Sequence, residues 1–171
     1  MGPLARSSGV ACVEGMDQEG GGSFARLAAE QRQTFELVHR AQEDIAVILY
    51  TSGTTGRSKG AMISHRSVHF CAAGLVESWG FSPRDVLLHA MPIFHAHGLF
   101  ISSCVSLLSG GKLLFHKKFD VEAVLAALPQ ATVMMAVPTF YHRMLANERL
   151  TVELCKEMRL FTSGSSPLPA Q

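Results

Sequence analysis

Nothing in these 171 residues stays apolar long enough to cross a bilayer. The longest such stretch, residues 99–108, is interrupted by Ser102, Ser103 and Ser106, and a spanning helix needs about twenty apolar residues. The first ten residues lack the basic segment and apolar run of a secretory signal. Neither sign of charge dominates, with 15 Lys and Arg against 14 Asp and Glu. There is therefore no basic field for nucleic acid or anionic lipid and no acidic tail, so a charged ligand must be held by local groups. Cysteine is sparse: Cys12, Cys71, Cys104 and Cys155 stand far apart with no CxxC pair, which reads as small buried hydrophobes in a reducing compartment rather than a disulfide frame. A cytoplasmic protein with small-molecule substrates, no nucleic-acid partner and no membrane span is expected.

What is present is a chain 47% apolar, enough for one ordinary core. Residues 1–44 read as an irregular lead-in with a Gly run at 20–22 and a short helix from Ser23. From residue 45 short apolar runs alternate with helical periods, and the runs at 45–50, 86–89, 112–115, 132–136 and 159–162 are predicted strands. Helices are predicted over 64–79, 98–108 and 138–146. A further helix follows Asp120 as N-cap, with Val121, Val124, Leu125 and Leu128 at helical spacing before Pro129 stops the run. This alternation predicts an α/β fold, a mostly parallel sheet with helices on its faces. Strands this apolar are covered on both sides, and a sheet ending at Gln171 would keep an uncovered edge, so residues 45–171 are expected to be an incomplete domain.

Immediately after the first predicted strand, residues 50–60 read YTSGTTGRSKG. Gly53, Gly56 and Gly60 allow tight folding, so that successive N–H groups converge on an anion. Thr51, Ser52, Thr54, Thr55 and Ser58 add short donors, and Lys59 adds a point charge for a polyphosphate. A flexible linker is the plainer reading, but linkers do not usually abut an apolar strand with a lysine between small residues. A Walker A loop is excluded by spelling, because Ser58 precedes the lysine and Gly60 follows it.

Three later segments carry further chemistry-bearing residues. Residues 91–99, MPIFHAHGL, place His95 and His97 two positions apart, with Ala96 between them; no third ligand has metal-like spacing, so no metal site is expected. Residues 131–143 read ATVMMAVPTFYHR, and residues 161–169 read FTSGSSPLP. By themselves the last could be an ordinary Ser/Gly/Pro turn after a strand.

Together these segments resemble the adenylate-forming superfamily of acyl-CoA and aryl-CoA synthetases, luciferases and peptide-synthetase adenylation domains. The resemblance implies that Thr51, Ser52, Gly53, Thr54, Thr55, Gly56 and Lys59 hold the β- and γ-phosphates of ATP. It makes His95 a gate and positioning residue of the acyl site, with His97 behind it, and places Ser163, Gly164, Ser165, Ser166 and Pro167 around the acyl-adenylate. The segments at 107–120, 131–145 and 158–168 look most like malonyl-CoA synthetases, from about Ser23 to the end. A dicarboxylate needs a cation for its distal carboxylate, and Arg143 is the candidate, with a surface arginine as the alternative. Two positions depart from that pattern: Ala96, where a hydroxyl residue is common, and Ser166, where a small apolar one is.

The implied reaction is attack of a carboxylate on the α-phosphorus of MgATP, giving acyl-AMP and pyrophosphate, followed by displacement of AMP by the thiol of CoA. Lys59 and His95 are the candidate catalytic residues. The family's YGxTE segment, ribose-binding Asp and C-terminal lid domain with its lysine are not found within residues 1–171, so this chain alone is expected to be inactive. The competing reading is a non-catalytic nucleotide-binding module, or a synthetase for another acid such as methylmalonate, a fatty acid or an aryl acid.

Overall fold

The computed structural model describes residues 7, 9, 11–17, 19–51 and 59–167. The chain divides into two compact units, Met1–His39 and Arg40–Gln171. In the first, helix α1 (Ser23–Ala29) buries no residue, and the Asp17 carboxylate closes a turn by accepting from the N–H of Gly21 at 2.6 Å.

The second unit opens with an antiparallel hairpin, β1 (Ile45–Thr51) and β2 (Lys59–Ser64), in which Leu49 pairs with Ala61 and Thr51 with Lys59. The sequence reading missed β2. Its KGAMIS run is mostly exposed, so it lacks the apolar density that marks a strand and owes its conformation to pairing with β1. Ser64 then caps α2 (His65–Ser78) by accepting from the Ser67 N–H at 3.2 Å.

The remaining strands, β3 (Val86–His89), β4 (Lys112–Phe115), β5 (Val133–Ala136) and β6 (Leu160–Ser163), form a sheet in the order β4-β3-β5-β6, and all of its pairings are parallel. Side chains alternate across it with the strand period of two. Leu87, Val133 and Met135 meet Ala72 and Val105 on one face, toward α2 and α3 (Ser103–Ser109). Leu88, Met134 and Ala136 meet Val124, Leu125 and Met144 on the other, toward α4 (Val121–Ala127) and α5 (Pro138–Leu145). The expected α/β architecture is therefore present, with β5 buried at every position as a parallel strand between two helical layers should be.

Several local expectations need correction. The helix foreseen over 98–108 opens with a π-helical turn, His97–Ser102, before α3. Asp120 does cap α4, accepting from Ala123 N–H at 3.0 Å, and the α-helical run ends at Ala127, ahead of Pro129 as foreseen. That proline sits in a 3-10 turn, Leu128–Gln130, where a proline near the start loses no hydrogen bond. None of the four cysteines is fully buried: Cys12 and Cys71 are exposed, Cys104 and Cys155 half-buried, and all are free. No helix among the described residues is long and apolar enough to cross a membrane.

At the amino ends of the strands a polar staple ties the sheet to α2. Asp85, 4% exposed, accepts from Arg159 Nε at 2.7 Å, from Thr132 Oγ1 at 2.9 Å and from Ser82 N–H at 2.8 Å. Arg159 also donates to the carbonyl of Trp79, just past α2, at 2.9 Å, and its guanidinium lies 5.3 Å from the Phe81 ring centroid. At the opposite ends Tyr141 spans β5 and β6, its buried hydroxyl donating to the Thr162 carbonyl at 2.6 Å and lying 3.2 Å from that of Met134. Burial pushes this phenol well above its ordinary pKa.

Candidate active site

In an open parallel sheet the crevice for a ligand lies beyond the carboxyl ends of the strands, where successive connections leave in opposite directions. Here the connection after β3 runs to β4 on one side and the connection after β5 runs to β6 on the other. The switch point lies between β3 and β5, and three of the segments singled out in the sequence emerge around it. Residues 90–97 leave β3, Val137 and Pro138 leave β5, and Gly164 to Pro167 leave β6.

The histidine segment is built by a tight turn. His95 N–H donates to the Pro92 carbonyl at 3.2 Å, and Leu99 N–H to the His95 carbonyl at 3.0 Å. His97 N–H donates back to His95 Nδ1 at 3.2 Å. The two imidazoles consequently diverge: the His95 residue is exposed, whereas His97 is 6% exposed. Among the described residues no group of three or more His, Cys, Asp or Glu is placed to hold a metal ion.

His97 reaches across to the segment after β6, where its Nδ1 lies 3.2 Å from Ser165 Oγ in a shared hydrogen bond. Burial first, and then the neighbouring His95 and His89, push its imidazole below the ordinary pKa. Ser165 has φ 67, the only positive value among the described residues other than glycine. A side chain in that region is strained and is held there by its surroundings; the His97 bond is one such restraint. The Gly164 N–H donates to the Ala136 carbonyl at 3.2 Å, so the turn is anchored to β5 as well. Two segments far apart in sequence are thus joined by one side-chain pair at the sheet's carboxyl edge.

The phosphate segment is bounded by the hairpin. Thr51 ends β1, Lys59 starts β2 opposite it, and Lys59 is exposed. The foreseen phosphate ligands Ser52, Gly53, Thr54, Thr55 and Gly56 lie outside the described residues. Arg143 sits in the last turn of α5 with its guanidinium carbon 4.9 Å from the Phe119 ring centroid, and Phe119 in turn stacks on Phe140 at 3.8 Å. The structure therefore joins His97 to Ser165 in the turn after β6, with His95 linked to His97 through the latter's backbone N–H, and it sets Arg143 on an aromatic pair next to α4. Between the hairpin, α2 and the π-helical turn lies an apolar cavity of about 170 Å³, with Leu49, Ile63, Val68, Ala96 and Phe100 in its wall. Sequence reasoning did not single out His89 and Ser103, although a histidine closing an otherwise apolar strand was a readable signal.

Known enzymes resemble this chain over most of its length. The chain is 38% identical over 140 residues to the mitochondrial malonate–CoA ligase ACSF3 of Mus musculus, a match covering 72% of this chain and 24% of the relative. It is 34% identical over 130 residues to a feruloyl-CoA synthase of Amycolatopsis sp, covering 75% of this chain and 26% of that one. The crystal structure of ATP-bound MatB from Rhodopseudomonas palustris superposes with a TM-score of 0.89 at 47% identity, over 97% of this chain and 34% of that chain. The chain thus spans about a quarter of the length of the curated relatives. With residues 5–171 matched by the family model for AMP-binding enzymes, the chain belongs to that family.

Proposed function

We propose that this chain supplies the phosphate- and acyl-binding part of an ATP-dependent acid–thiol ligase that activates malonate as malonyl-AMP and passes it to CoA, releasing AMP and pyrophosphate. The observation that carries the reading is the joining of the histidine segment to the turn after β6, through His97 and Ser165, at the β3/β5 switch point. The 34–38% identity to malonate–CoA and feruloyl-CoA ligases supports the reaction class. The 47% identity to ATP-bound MatB supports ATP as the nucleotide.

In this reading the hairpin loop and Lys59 meet the β- and γ-phosphates and oppose the charge that builds on departing pyrophosphate. His95, exposed at the mouth, contacts the acyl end, and the turn after β6 flanks the adenylate; holding both reactants in one crevice contributes the orientation the attack needs. Mg²⁺, when bound with the nucleotide, would neutralise phosphate charge alongside Lys59 and the hairpin loop. A cytoplasmic site of action belongs to the same proposal.

Arg143 remains the candidate partner of a distal carboxylate, its guanidinium held against Phe119. The apolar cavity beside Ala96 and Phe100 favours a second reading, an acid with a hydrocarbon tail. A panel of malonate, methylmalonate, acetate and medium-chain acids, assayed by acid-dependent pyrophosphate release in the complete enzyme, separates them. Malonate preference is expected, and Arg143→Ala should reduce it by on the order of a hundredfold, as loss of a charge-assisted pair does. An unchanged preference removes Arg143 from the site, and a preference for medium chains selects the cavity reading. The 171-residue chain by itself is expected to release no pyrophosphate.

A further inference from the structure

His89 takes no part in the reaction just described, yet it is 1% exposed and lies at the last position of β3, on the side of the sheet facing the π-helical turn. Its Nε2 is 2.9 Å from the Gly98 carbonyl oxygen. A carbonyl can only accept, so the ring carries its proton on Nε2. Phe115 flanks the ring at 5.1 Å between centroids.

The Gly98 carbonyl also takes part in the π geometry of residues 97–102. It accepts from the backbone N–H of Ser103, five residues on, and from Ser103 Oγ at 2.9 Å. An α-helical register would give the Ser103 N–H to Leu99 instead. A π turn is intrinsically rare and tends to occur at functional sites. Here two side chains, His89 and Ser103, converge on a carbonyl that carries one of its five-residue bonds. The residue before Gly98 is His97, which holds the strained Ser165.

We propose that His89 is a positioning residue: by donating Nε2–H to the Gly98 carbonyl it holds the π register of residues 97–102, and thereby sets His97 against Ser165 and the turn after β6 in its ligand-binding shape. The proposal rests on the functional reading above only where it names the ligand; the structural half stands without it.

The test compares His89→Gln, whose amide can still donate to Gly98, with His89→Phe, which fills the space and cannot. Imidazole ¹⁵N correlation spectra of the free protein should show His89 as the Nε2–H tautomer. The His97 resonances should keep their positions in His89→Gln and move in His89→Phe. Affinity for malonyl-sulfamoyl adenosine, a stable mimic of the adenylate, should fall on the order of tenfold in His89→Phe, as expected when a buried acceptor loses its donor, and stay within about twofold in His89→Gln. A general packing role would shift thermal stability in both variants without this split. An Nδ1–H tautomer, or His97 resonances and affinity unchanged in His89→Phe, overturns the proposal. If His89→Phe does not fold, the tautomer and the Gln variant still decide it. Absence of mimic binding to the unaltered protein would count against the functional reading alone, while the spectra continue to test the register.

Discussion

Asp85→Ala is expected to lower the stability of the second unit by about 3 kcal/mol, the low end of the cost of removing one partner of a buried ion pair, which in a chain of this size lowers Tm by roughly 10 °C. The low end applies because Arg159 is 38% exposed and can turn to water, whereas the Asp85 side chain is 5% exposed. What cannot be recovered are the donors converging on the carboxylate, namely Ser82 N–H, Thr132 Oγ1 and Arg159 Nε, some of which are left unmet. The same group gives the fold an acid dependence whose sign is determined. Burial alone would raise its pKa, but the hydrogen bonds from Arg159, Ser82 and Thr132, with the Arg159 charge, together outweigh it and hold the pKa at about 2 against an ordinary 3.8. A depressed carboxyl contributes stability above its unfolded pKa and loses it as pH falls through the folded one. Denaturant midpoints should therefore decline between about pH 4 and pH 2, and in Asp85→Asn this part of the decline should be missing.

Gly98→Ala should produce the second large effect, on the site as well as on the fold. A Cβ at this position would lie 2.8 Å from the Pro92 carbonyl carbon and 3.1 Å from the Met91 carbonyl oxygen. Both obstacles are backbone, so the strand exit itself must move, at a cost of about 1–3 kcal/mol for overpacking. Residues 91–97 carry His95 and His97, and displacing them by an ångström can cost about a hundredfold in function. Ligand affinity should fall far more than the thermal midpoint predicts. Gly74→Ala is the control: it lies inside α2 with nothing within 4 Å of an added Cβ, and should stabilise by about 0.5–1 kcal/mol. A Gly98→Ala protein with unaltered affinity would show that the exit of β3 is not part of the site.

The two effects also mark where the sequence was informative. The strands at 86–89, 112–115 and 133–136 were legible because each is a short apolar run between turn signals, and in β3 and β5 that run is largely buried between the two helical layers. Asp120 was legible as a cap because an acid before a periodic segment has one obvious donor set. β2 was not, since its exposed KGAMIS run is a strand by partnership. The π turn was not, because its cause lies in a histidine nine residues earlier and on another element. At the site, the FTSGSSPLP and MPIFHAHGL segments announced themselves, but that His97 rather than His95 joins them depends on which imidazole the turn directs inward. Periodicity does not encode that. Asp85 and Arg159 were invisible for a similar reason: they meet across 74 positions, and local pattern gives no warning of a long-range staple.

The central claim is that residues 50–60, closed by the Thr51 and Lys59 pairing of the hairpin, grip the tail of a nucleoside triphosphate. Titration calorimetry of this chain with MgATP, beside its Lys59→Ala, Gly56→Ala double variant, tests it most directly. The account predicts saturable binding in the unaltered chain, weakened at least about tenfold in the variant, the scale of one lost charge-assisted contact. Equal affinity in the two proteins, with both folded by circular dichroism, would contradict it.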